Sequence, residues 1–180
     1  MSESTTPANP AVPARPANPA PRLERTTWDD PRAVALRSAM DVEIETRYAP
    51  RMAGASAEEI AAVDRVLTVD PRDIRATVLA SDPDGTPIAH AALRDLDGEW
   101  EVKRVVVAAD RRGLGLGRAL MAELEAIARA GGARRLILQT GDRQPEAVVL
   151  YERIGYTPIP IYEPYVTAIP FSLCFEKLLA

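Results

Sequence analysis

The sequence holds one cysteine, Cys174, and one histidine, His90, in 180 residues. A lone cysteine excludes an internal disulfide framework. With a single histidine beside it, a structural zinc site lacks ligands, so no metal is expected. Long apolar runs are also missing. None approaches the roughly 20 residues that cross a bilayer, which predicts a protein with no membrane role. No basic-then-apolar leader opens the chain, and the expectation is a cytoplasmic protein. A basic excess is absent too: 22 Lys and Arg face 26 Asp and Glu, for a formal net charge of −4. That balance argues against nucleic acid as a partner.

What is present is globular. The chain is 47% hydrophobic and 27% charged, a balance that supports one packed domain rather than a disordered or fibrous chain. Residues 1–22 stand apart. Pro7, Pro10, Pro13, Pro16 and Pro19 recur every third residue among Ala, Asn and Thr, a composition that predicts a disordered tail with polyproline II bias. Residues 23–180 form the single folded domain.

Within that domain the residue pattern predicts a mixed order. Leu23–Thr27 reads as a strand, and Asp29 or Asp30 with Pro31 starts a helix that runs to about Tyr48. Ser56 and Glu59 form a capping box for a second helix ending near Leu67. Strands at Ile74–Ser81, Pro87–Leu96 and Trp100–Ala108 follow, with turns at Asp82–Gly85 and Asp97-Gly98 between them. Leu116, Leu120, Leu124 and Ile127 make one stripe of a helix that Gly131-Gly132 ends. A strand at Arg135–Thr140, a helix from Pro145 to near Gly155, and strands at Thr157–Ile161 and Leu173–Leu178 complete the chain. The order implies an α/β (α+β) fold with a mixed sheet flanked by helices, not a doubly wound parallel one.

The most informative stretch joins the valine-rich strand to the striped helix. Gly113, Gly115 and Gly117 alternate there, and Arg111, Arg112 and Arg118 gather positive charge in an acidic protein. Glycine allows close backbone approach, and a helix start offers unpaired N–H groups to an anion, so a diphosphate fits. A Walker loop needs Lys after its last glycine, but Arg118 follows Gly117. The G-x-G-x-x-G spacing fails as well, since Arg118 and Leu120 occupy the two possible final positions.

Arg112-Gly113-Leu114-Gly115-Leu116-Gly117 resembles the Arg/Gln-x-x-Gly-x-Gly/Ala motif of the GNAT superfamily of acyl-CoA-dependent N-acyltransferases. Leu150-Tyr151-Glu152-Arg153-Ile154-Gly155-Tyr156 is similar to a second motif of that family. The resemblance covers about residue 23 to the C-terminus and is strongest over 99–156. It implies a mostly antiparallel central sheet and acetyl-CoA as co-substrate. The backbone of Val105, Val106 and Val107 would pair with pantetheine, and the loop Arg112, Gly113, Leu114, Gly115, Leu116, Gly117 and Arg118 would hold the diphosphate. Gln144 stands where many members place an Asn that bonds the coenzyme.

The resemblance also assigns chemistry. Glu101, six residues before Val107, stands where several members carry a base, and Tyr151 stands where the thiolate receives its proton. The implied activity is acetyl transfer through a direct ternary complex to a primary amine of a small molecule, such as an amino acid, a polyamine or an amine antibiotic. Acetylation of a protein or peptide amine is the alternative within enzymes, and a non-catalytic acyl-CoA sensor is the alternative outside them. Members often dimerise, so a homodimer is compatible. The acceptor is expected near Arg47–Pro50 and Tyr162–Tyr165, where Glu43, Glu45 and Glu163 would attract a cation and Arg47 and Arg51 would clamp a carboxylate. His90, mid-strand, is expected to be structural or to line the acceptor pocket rather than to shuttle protons, and Cys174 to be core.

Overall fold

The computed structural model describes residues 21–179. The tail read over residues 1–22 therefore lies, but for its last two residues, outside the described residues. Seven strands and five helices follow in the order β1 (Arg22–Thr26), α1 (Pro31–Met52), α2 (Ala57–Leu67), β2 (Ile74–Ser81), β3 (Pro87–Leu96), β4 (Glu99–Val107), α3 (Leu116–Ala130), β5 (Arg135–Gly141), α4 (Pro145–Arg153), β6 (Thr157–Ile159), α5 (Tyr165–Ala168) and β7 (Ser172–Leu178). The strands form one sheet in the order β1-β2-β3-β4-β5-β7-β6. Only β4 and β5 run parallel; every other neighbouring pair is antiparallel. The expected mixed, mostly antiparallel architecture is the one observed.

Local chemistry explains the element ends. Asp30 caps α1 by accepting from the Arg32 backbone N–H at 2.9 Å, and Pro31 occupies the first turn, where a missing N–H costs nothing. The Ser56–Glu59 capping box forms at the start of α2. Asp97 and Gly98 both take positive φ (52° and 89°), the backbone of a two-residue hairpin turn, and so pair Leu96 with Glu99. Side chains then alternate between the two faces of the sheet. On one face Leu116, Leu120, Leu124 and Ile127 of α3 are buried against Val78, Leu93, Val102, Leu136 and Phe175. On the other, Ala33 and Leu36 of α1 cover Leu79 and Val106. That second face also carries His90, Arg94, Glu101 and Lys103, all buried.

Two boundaries differ by several residues from expectation, and one element was not expected. α1 continues through Pro50 to Met52, because its last turn is anchored: Arg51 makes two hydrogen bonds to Asp142, at 2.9 and 2.7 Å, and Tyr48 meets the same loop. The strand expected at Thr157–Ile161 stops at Ile159. The chain then turns inward to form α5, a single turn that the sequence pattern did not reveal and whose Tyr165 is fully buried.

Leu124 is fully buried in the middle of the α3 stripe. Leu124→Ala is expected to cost about 2–5 kcal/mol. Urea unfolding should show a lower midpoint with an unchanged slope.

Candidate active site

The site begins where β4 and β5 part. Their parallel pairing comprises Glu101 with Ile137 and Val102 with Leu138, and then ends, although β4 continues to Val107 and β5 to Gly141. The divergence coincides with an extra residue in β4: its register against β3 shifts between His90 and Ala92. Arg104 takes φ +56° there, a left-handed backbone outside any tight turn. For a residue with a Cβ that conformation costs about 1–2 kcal/mol, so surrounding bonds must hold it. The backbone of Val105, Val106 and Val107 consequently borders an opening on its β5 side.

The glycine loop closes the far end of this opening. Gly113 and Gly115 adopt φ +78° and +82°, and a Cβ built on either meets nothing within 4 Å. The loop is thus an open cradle in a conformation that other residues resist. Gly115 caps α3 without a side-chain bond, and no acidic residue lies in the first turn, so the helix start keeps its positive character. Arg118 is exposed and has no ion-pair partner among the described residues. Arg111 is committed to Asp82 (2.8 Å) and Asp110 (3.0 Å). Leu114 is exposed, whereas Leu116 is buried in the core. Gly117 serves helix packing: a Cβ there would stand 3.0 Å from Leu150 of α4. A diphosphate fits this cradle, and an extended pantetheine fits the strand edge that leads to it.

α1 spans both sides of the opening. Arg112 donates to Glu43 at 3.0 and 2.5 Å and to the Val107 carbonyl at 3.2 Å. The Arg112 guanidinium, with Arg47 beside it, holds the Glu43 carboxyl below the usual carboxylate range. Arg47 also pairs with Glu146 at 2.5 Å and donates to the Arg143 carbonyl at 3.2 Å. The Tyr48 hydroxyl accepts from the Arg143 N–H at 2.9 Å. It lies so near Gly141 that a Cβ there would come within 1.9 Å of it, which is why a glycine ends β5. Gln144 sits at the N-cap of α4 with no side-chain cap bond. Arg47 and Arg51, expected to clamp an acceptor carboxylate, both have protein carboxylates as partners; Glu45 and Glu163 are exposed.

Glu101 is fully buried. Arg94 Nε donates to its Oε2 at 2.5 Å, and the hydroxyls of Tyr162 and Tyr165 donate to its Oε1 at 2.9 and 2.8 Å. The Tyr165 oxygen accepts in turn from Arg94 (2.9 Å) and Lys103 (2.8 Å). Burial pushes Lys103 down to about 8, against the opposing pull of Glu101. Burial also raises both tyrosines, with the Glu101 charge adding to it, and it raises the Cys174 thiol. Tyr162 is partly exposed, whereas Glu101, Arg94, Lys103 and Tyr165 are buried. Arg94 was not anticipated. The hairpin turn at Asp97-Gly98 encodes its place, since counting back from it sets Arg94 opposite Glu101. Tyr151, on α4, packs against Tyr156 and Phe175, and burial alone raises its phenol above the ordinary value. Its hydroxyl therefore carries a proton at neutral pH.

A cleft between parted parallel strands thus ends at the glycine cradle. The model of the Acetyltransferase (GNAT) family matches residues 37–156. This chain belongs to that family. The chain is 36% identical to IAA acetyltransferase of Azospirillum brasilense over 114 residues, 62% of this chain and 72% of that one. A solved acyl-CoA N-acyltransferase-type protein of Klebsiella pneumoniae is 28% identical with a TM-score of 0.70, covering 89% of this chain and 98% of that one. A GNAT acetyltransferase of Elizabethkingia anophelis, solved with acetyl-CoA bound, shares the fold at 17% identity and a TM-score of 0.60, covering 88% and 98%. The protein is an acetyl-CoA-dependent acetyltransferase. Among the described residues no group of three or more His, Cys, Asp or Glu side chains could hold a metal, and no helix is long and apolar enough to cross a membrane.

Two outcomes follow for this GNAT domain. A diphosphate held by Arg112 would have to displace Glu43, and a surface pair of this kind is weak. Glu43→Gln is therefore expected to tighten coenzyme A by about two- to fivefold in calorimetric titration, with Arg112→Ala weakening it. The second concerns His90, whose value burial depresses to about 4, with the Arg37 and Arg104 charges acting the same way against a carbonyl hydrogen bond. The folded value lies below the unfolded one of about 6.5, so the unfolded chain takes the proton first. Stability from this group is intact above pH 6.5 and is lost by about 3 kcal/mol as pH falls to 4. Denaturant titrations of wild type and His90→Asn across that window should differ by this slope.

Proposed function

We propose that this GNAT protein acetylates the primary amine of a small molecule within a direct ternary complex. The observation that carries the reading is how closely the C-terminal half of α1 is tied to the start of α4 and the loop before it. Arg51–Asp142 and Tyr48–Arg143 tie α1 to the loop before α4, and Arg47–Glu146 ties it to the first turn of α4, ties that we read as leaving room for a small amine rather than a polypeptide. A relative named IAA acetyltransferase and a nourseothricin acetyltransferase, 25% identical with a TM-score of 0.53 over 63% of this chain and 69% of that one, support a small-molecule acceptor.

Acetyl-CoA supplies an activated acyl group as a thioester. The backbone N–H groups of the Val105–Val107 stretch point the acyl oxygen and stabilise it as it gains charge, a kind of contact worth about 2.7–4 kcal/mol when preorganised. Gly113–Arg118 with Arg112 anchor the diphosphate, and Gln144 bonds the coenzyme at the opposite wall. As the amine nitrogen bonds to the acyl carbon, its proton passes to the Tyr162 oxygen while the Tyr162 proton moves to Glu101 Oε1. The carbon–sulfur bond breaks, and Tyr151 gives the departing thiolate its proton. Arg94 keeps Glu101 in position throughout and remains charged.

The test is coenzyme A release measured against a panel of amines, amino acids, aminoglycosides and peptides. Stimulation by small amines supports the reading; stimulation by peptides alone overturns it in favour of protein or peptide acetylation. With an active acceptor in hand, Glu101→Gln should lower kcat/KM by about 10²–10⁴-fold, and Tyr162→Phe should fall in the same direction. Tyr151→Phe should lower kcat with little change in KM for acetyl-CoA. Full turnover in Tyr162→Phe would remove the relay.

A further inference from the structure

Arg104 and Asp97 are the two non-glycine residues with positive φ among the described residues, and Asp97 lies in a hairpin turn. The strained residue of β4 needs another support, and a buried chain of bonds supplies it. The His90 ring is fully buried on β3. Its Nδ1 lies 3.0 Å from the Arg104 carbonyl oxygen, and its Nε2 lies 3.2 Å from Nη1 of Arg37. A guanidinium only donates, so Nε2 accepts and the ring proton sits on Nδ1, where it is given to the Arg104 carbonyl. Arg37 is itself fixed. It stacks over Trp28 at 3.7 Å from the ring centroid and donates to the Trp28 carbonyl at 2.6 Å. Asp41, one helical turn beyond Arg37, pairs with the Arg104 side chain. Both ends of Arg104 are thus held from the α1 side of the sheet.

His90 also stands at the register shift, opposite Val106. We infer that His90 is a positioning residue for acetyl-CoA: by holding the Arg104 carbonyl it sets the course of Val105–Val107, the backbone against which pantetheine lies. The inference rests on the acetyl-CoA cleft described above and goes beyond it. It assigns the site's shape to a neutral imidazole that touches neither substrate. Burial keeps the ring neutral at assay pH, so the donor on Nδ1 is permanent in the working range.

The position of His90 allows a test that separates shaping from folding. Coenzyme A and 3′-phosphoadenosine 5′-diphosphate share the diphosphate, but only the first carries pantetheine. Calorimetric titration of both is compared in wild type, His90→Leu, His90→Gln and His90→Asn. Leu removes the donor; Gln is polar but carries its amide outward, toward Arg37. Asn places an amide N–H near the Nδ1 position. Leu and Gln should weaken coenzyme A by about tenfold and leave the pantetheine-free fragment unchanged within about twofold, while Asn restores most of the loss. Should Leu fail to fold, Gln against Asn makes the same comparison. Coenzyme A bound as tightly by Leu and Gln as by wild type overturns the inference. So do equal losses for both ligands, or an Asn variant no better than Gln. A wild type that binds neither ligand instead overturns the cleft assignment itself, and this inference with it.

Discussion

The separation of two parallel strands is the constraint on which the rest of the molecule turns. Backbone N–H and C=O groups in a sheet normally find partners on the next strand, and leaving them without one is costly. Beyond Val102 the β5 side of β4 forgoes that pairing. One added residue, with Arg104 in a left-handed conformation, makes the strands diverge. In the proposed reading an extended ligand takes the place of a strand, and the glycine cradle receives that ligand's charged end. The cleft is a gap in a hydrogen-bond ladder that the fold holds ready.

α1 carries more of this arrangement than a packing helix would. Only Ala33, Leu36 and Arg37 of its 22 residues are buried, so burial of apolar surface does little to place it. Polar bonds place it instead. Arg37 and Asp41 act at the strand that diverges, Glu43 at the glycine loop, and Arg47, Tyr48 and Arg51 at the segment before α4. These residues follow one another along neighbouring turns of the helix, which lets a single rod reach three walls of the cleft. Exposed ion pairs are individually weak, whereas the Arg37–His90 contact is buried. The contact near the start of the helix is thus the buried one, and those near its end are ion pairs and hydrogen bonds at the surface.

Much of this was legible in the sequence, where the signal is local. Alternating glycines between a valine strand and a striped helix announced the cradle, and the capping box and the four apolar residues of α3 lie where periodicity put them. Legibility faded where the determining contact lies across the fold. Pro50 ordinarily marks a helix end, and only the anchoring of Tyr48 and Arg51 shows why α1 runs past it. The surroundings of Glu101 depend on Arg94 from another strand, on Tyr165 from a single helical turn too short for any periodic signal, and on Tyr162 from the irregular segment before it. The Arg104 conformation is invisible in the residue type itself, since arginine has no preference for it.

The exposed bend at Asp97-Gly98 shows how far such dependence reaches. Surface bends ordinarily accept extra residues without harm. This one sets the alignment of β4 on β3, and a slip of one residue in that alignment would send each side chain to the opposite face. Glu101 would leave Arg94, and the Arg104 carbonyl would leave His90, in the same step. A solvent-facing corner thus governs both the buried carboxylate and the parted strand, neither of which it touches.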